Sequence, residues 1–86
     1  MQKTLYTRQY QQMLKLLRAK RALAQVSQAE LARRLRWTQA DVSKCETGVR
    51  RLDVVELKLW LEALNNDLSG FVSELYSGVD LGNRLM

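Results

Sequence analysis

Ser27-Gln28-Ala29-Glu30-Leu31-Ala32-Arg33-Arg34-Leu35, then Arg36-Trp37-Thr38, then Gln39-Ala40-Asp41-Val42-Ser43-Lys44-Cys45-Glu46-Thr47-Gly48 is the stretch that decides the fold. Ser27 with Glu30 has the spacing of a capping box, in which the hydroxyl accepts the N3 amide and the carboxylate reaches back to the cap amide. A helix therefore starts at Ser27, buries Leu31, Ala32 and Leu35, and stops near Arg36. Thr38 with Asp41 repeats the signal, with an acid placed to favour the helix dipole. This predicts a second helix from Gln39 to about Thr47, with Val42 and Cys45 inward and Gly48 as a left-handed stop. Two short helices joined by three residues have helix-turn-helix geometry. Ala32 is small where the helices approach, and Trp37 closes the corner. Gln39, Ala40, Ser43 and Lys44 face outward, short or hydrogen-bonding side chains suited to the edges of bases.

Outward from this centre the pattern stays helical. The chain contains no proline and four glycines, and nowhere alternates as a strand would. Tyr10, Met13, Leu14, Leu17 and Arg21 share one face of a helix expected over about Thr7 to Ala24. An arginine ending a buried stripe needs a partner, because an unpaired buried charge is costly. After Gly48-Val49-Arg50-Arg51-Leu52, Asp53 and Glu56 mark a third cap. The helix expected over Val54 to Leu64 turns Leu57, Leu61 and Leu64 inward. Asn65 to Asp67 read as a turn and a new cap. A fifth helix carrying Phe71, Val72 and Leu75 is expected to end near Tyr76, leaving 77–86 as a mobile tail. The fold expected is all-α, with one compact domain over 1–76.

Charge and composition limit what such a domain can do. Of 86 residues, 14 are Lys or Arg, 9 are Asp or Glu and none is His. Residues 1–51 hold 12 basic and 3 acidic side chains, net +9, and residues 52–86 hold 2 and 6, net −4. A basic front half calls for a polyanion and the acidic back half for a protein surface. The absent histidine removes the commonest general base and the usual nucleophile pairs. Together with a single cysteine, Cys45, it leaves no metal site of ordinary chemistry, so neither enzyme activity nor a cofactor is expected. At an inward position Cys45 reads as a small hydrophobe rather than a redox switch. The chain has no apolar run long enough to span a bilayer and no apolar signal core near Met1. The expected location is the cytoplasm.

Ser27-Gln28-Ala29-Glu30-Leu31-Ala32, Gln39, Val42-Ser43-Lys44 and Glu46-x-Gly48-x-Arg50-Arg51-Leu52-Asp53 together resemble the Cro/repressor, or XRE-type, helix-turn-helix family, which includes lambdoid phage repressors. The likeness runs roughly from Met13 to Leu75. It implies a five-helix lambda-repressor-like domain that binds double-stranded DNA as a transcriptional regulator, a repressor occupying its promoter. By resemblance Gln39, Ala40, Ser43 and Lys44 take the base-reading positions. Ser27 and Gln28, at the helix start, and Thr47, Arg50 and Arg51, in and after the recognition helix, take the phosphate-binding ones. Arg21 and Glu46 match a salt bridge of relatives, which supplies the partner Arg21 needs. Arg36 departs from the family's usual turn glycine, at a strain of about 1 kcal/mol.

Two partner expectations follow. Val55, Leu59 and Trp60 lie off the Leu57/Leu61/Leu64 stripe and either complete the core around the fifth helix or form a homodimer or partner face, since such domains read two half-sites about 34 Å apart. The alternative function is an antitoxin-type interaction protein, whose acidic half from Asp53 onward neutralises a toxin while the domain regulates its own promoter. A protein that co-purifies through that half distinguishes the two.

Overall fold

The computed structural model describes the backbone of residues 2–84 and the side chains of residues 8–77. Five helices and no strand occur among them: α1 (Gln2–Leu23), α2 (Gln28–Leu35), α3 (Gln39–Thr47), α4 (Val54–Ala63) and α5 (Leu68–Arg84). The three central helices lie where their capping residues predict. The outer two are longer than expected. α1 starts at Gln2 instead of near Thr7, in a segment without glycine or proline to stop it. α5 runs to Arg84 rather than ending near Tyr76, so the backbone of residues 77–84 is helical. Interior glycine costs a helix about 1 kcal/mol relative to alanine, too little at Gly78 or Gly82 to halt one already nucleated. Only Leu85 and Met86 of the expected tail lie outside the described residues.

One core joins all five helices. Leu14 and Leu17 of α1, Leu31 and Ala32 of α2, Val42 and Cys45 of α3, Leu57, Trp60 and Leu61 of α4, and Phe71 of α5 are all buried. Val26, in the link between α1 and α2, is buried with them. Lys20 of α1 pairs with Glu74 of α5 at 2.6 Å, tying the ends of the fold together.

Trp60 corrects the expectation of a partner face. It is fully buried, with its ring edge-on to Trp37 at a centroid distance of 6.1 Å. The spacing holds the reason, because Leu57, Trp60, Leu61 and Leu64 sit at i, i+3, i+4 and i+7, a single helical stripe. Val55 and Leu59, one turn apart, remain exposed at 62% and 47%.

Candidate nucleic-acid interface

The caps that place α2 and α3 are made of side chains close in sequence. Ser27 Oγ accepts the Glu30 amide at 3.0 Å. The return half of the expected box is not formed there, because the Glu30 carboxylate is engaged by Arg33 and Arg34. Those two guanidinium groups hold its pKa down to about 2. Arg34 also donates to the Ala63 carbonyl at 2.8 Å, fastening α2 to the end of α4. At α3 the box is complete. Thr38 Oγ1 accepts the Asp41 amide at 3.1 Å, and the Thr38 amide donates to Asp41 Oδ2 at 3.3 Å. That last bond is the main reason the Asp41 carboxyl sits below its ordinary pKa. A complete box also starts α4, between Asp53 and Glu56.

Between α2 and α3, Arg36 adopts φ 61° and ψ 38°, a left-handed conformation that disfavours any side chain with a Cβ. Its amide and that of Trp37 close the end of α2 onto the Arg33 and Ala32 carbonyls at 3.2 and 2.9 Å. The turn therefore keeps the geometry of a glycine turn and tolerates the strain. Gly48, at φ 88°, ends α3 in the same manner. A Cβ there would also lie 3.3 Å from Leu14 Cδ1, so both conformation and space call for glycine.

The inner side of α3 is anchored by a buried carboxylate. Glu46 is 2% exposed. It accepts from Arg21 through two bonds, Nε at 2.7 Å and Nη2 at 3.0 Å, and from Gln28 Nε2 at 2.9 Å. Arg21 also donates to the Val26 carbonyl, and Arg18 to the Glu46 carbonyl at 2.7 Å. Charge, lone pairs and the helix end are all satisfied, which is what a buried ion pair requires. Removing Glu46 alone would strand Arg21, at a cost of about 3 kcal/mol. Arg18 was not singled out from sequence. Its position three residues before Arg21, on a neighbouring part of the same helix face, was the available signal.

With its inner side held, α3 presents Gln39, Ala40, Lys44 and Thr47 to solvent and keeps Ser43 half-buried. These five positions sit on the side of the helix away from Val42 and Cys45. Lys44 has no carboxylate partner among the described residues. Thr47 Oγ1 donates to the Lys44 carbonyl at 3.2 Å. Gln28, at the start of α2, has one amide hydrogen bond to Glu46, which leaves its second N–H and its carbonyl oxygen uncommitted.

The two arginines after α3 differ. The Arg50 guanidinium donates to Cys45 Sγ at 3.1 Å and to Glu56 Oε2 at 2.8 Å, and its Cζ lies 4.6 Å from the Trp37 ring centroid. It thus ties the loop to α4 and to the turn. No local pattern signals this, since Trp37, Cys45 and Glu56 come from separate segments. Arg51 is exposed, 4.4 Å from the Tyr10 ring centroid, and the Tyr10 hydroxyl accepts the Leu52 amide at 3.1 Å. Cys45 itself is fully buried, and burial pushes its thiol pKa up, which keeps it in the unreactive neutral form. Among the described residues no group of His, Cys, Asp and Glu could hold a metal ion, and no helix is long and apolar enough to cross a membrane.

Residues 12–67 match a family described as a helix-turn-helix domain. A solved structure, an XRE-family like protein from Pseudomonas syringae pv. tomato, is 37% identical with a TM-score of 0.85. The likeness covers 91% of this chain and 95% of that one. No curated protein matches.

Proposed function

The chain belongs to the XRE-type helix-turn-helix family of DNA-binding regulators, and from that membership we propose that it is a sequence-specific repressor that acts by occupying promoter DNA. The observation that carries this reading is the row Gln39, Ala40, Ser43 and Lys44 on the outer side of a helix whose inner side is fixed by Glu46. A helix held this rigidly can enter the major groove without losing conformational freedom on binding. Gln39 matches adenine in its pattern of donor and acceptor, and Lys44 can donate to guanine, each worth about 1–3 kcal/mol of discrimination. Ser27, Gln28 and Thr47, with Arg51 from the loop, take the phosphates and set the register. Arg50 acts one step back, by holding that loop in place.

The working unit in this reading is a homodimer meeting through the exposed Val55 and Leu59, without Trp60. Selection of bound sites from random duplex DNA tests it. The expected product is a pair of related half-sites about one helical turn apart, near 34 Å. Absence of binding to any duplex at low salt would overturn the reading. With the selected site in hand, Lys44→Ala is expected to relax base preference. Arg51→Ala should weaken all sequences alike and make the salt dependence shallower by about one contact.

A further inference from the structure

Several described cations are neutralised by carboxylates and others are not. Lys20, Arg21, Arg33, Arg34, Arg50 and Lys58 each pair with a carboxylate. Arg8 and Lys15 of α1 are exposed and have no carboxylate partner among the described residues. The helix that bears them is unusual. Its 22 residues include no Asp or Glu, so no acid in its first turn offsets the dipole. Nothing in folding calls for that arrangement, and a polyanion would offset it.

Position in the fold gives the ligand. Arg8, Gln11, Lys15 and Arg18 recur at offsets of three, four and three, along one face of α1. One member of that stripe touches the end of α3, and another lies beside its cap glycine. Arg18 donates to the Glu46 carbonyl, and Gln11 Nε2 lies 3.4 Å from where a Cβ on Gly48 would be. The loop that carries Arg51 also packs on α1, with the Arg51 guanidinium 4.4 Å from the Tyr10 ring centroid. Two turns of helix separate Arg8 from Lys15, about 10 Å. A strand of B-DNA carries a phosphate about every 3.4 Å of axis, so the two can meet different phosphates.

We propose that this face of α1 is a second backbone-binding site, in which Arg8 and Lys15 contact DNA phosphates flanking the bases faced by α3. The site rests on the DNA-binding reading and extends the footprint beyond the helix-turn-helix motif. It contributes affinity without sequence preference, because phosphates are the same at every step.

Salt titration of DNA binding tests it, with a mixed-sequence duplex long enough to cover the whole protein. Each phosphate contact contributes a slope of about −0.9 to log affinity against log salt. The double variant R8Q/K15Q is expected to have a slope shallower by nearly two contacts than the parent chain. Between about 50 and 200 mM salt its affinity should fall about tenfold less. R33Q/K58Q, which lowers net charge equally but removes cations already paired, should keep the parent slope. Both sites are exposed, and circular dichroism verifies that the variants fold. Equal slopes for R8Q/K15Q and the parent would overturn the proposal, and so would an equal loss in R33Q/K58Q. Failure of the parent itself to bind duplex at low salt would instead remove the DNA-binding reading, a distinguishable result.

Discussion

The two connections that flank α3 are built on opposite plans. The link from α2, Arg36 to Thr38, is short and held mostly by its own backbone. Its amides close the preceding helix, and Thr38 starts the next through Asp41, three residues on. The link to α4, Gly48 to Asp53, is held from outside, by Tyr10 from α1, Trp37 from the first link and Glu56 from α4. A helix that must sit in a groove needs both its ends fixed. Here one end is fixed by local rules and the other by the assembled fold. Trp37 belongs to both plans, since it packs on Trp60 and underlies Arg50.

The largest effect is accordingly expected at Trp37. Trp37→Ala removes the contact shared by the two links and should lower unfolding free energy by about 3 kcal/mol in denaturant titrations. If both links were independent, the loss would be confined to the first. Hydrogen exchange should instead show amides of residues 48–53 losing protection together with those of 36–38.

Gly48→Ala comes next. It places a Cβ at positive φ and 3.3 Å from Leu14 Cδ1, so a loss of about 1–2 kcal/mol is expected. Arg36→Gly is the converse. It relieves left-handed strain at an exposed position where the side chain makes no hydrogen bond or ion pair among the described residues, and should raise stability by about 1 kcal/mol with DNA affinity unchanged. A destabilised Arg36→Gly variant would mean that the arginine does more than occupy the turn.

The smallest effect is a pH dependence local to the first link. The Thr38 amide holds the Asp41 pKa below its unfolded value. The stability it contributes is therefore present above the unfolded pKa and is lost as pH falls through the folded one. Asp41→Asn should flatten that part of the acid limb in thermal melts recorded at successive pH values, while leaving the second link untouched. An acid limb identical to the parent's would show that the box contributes nothing measurable.

The contrast between the links also explains how far the sequence could be read. Ser27, Thr38 and Asp53 announced three helix starts because an N-cap acts over three residues, and the structure has α2, α3 and α4 beginning one residue after each. The start of α1 and the end of α5 carry no comparable signal, and there the expected bounds fall short. Trp60 is legible too, since its offsets place it on the buried stripe. Arg50 was not legible, because its role depends on Trp37, Cys45 and Glu56 meeting in space.

By itself, the sequence determined the all-helical architecture, the helix-turn-helix at its centre, and the outward row from Gln39 to Lys44, because caps and helical periodicity act over only a few residues. Outside the local i,i+3 and i,i+4 pairs of Glu30 and Glu62, only the tertiary structure decided which cations are neutralised. It seats Glu46 between Arg21 and Gln28, locks Arg50 inside the loop, and leaves Arg8, Lys15 and Lys44 without carboxylate partners among the described residues. The long-range pairs depend on distances of a few ångströms between groups far apart in the chain, and linear order does not carry those distances.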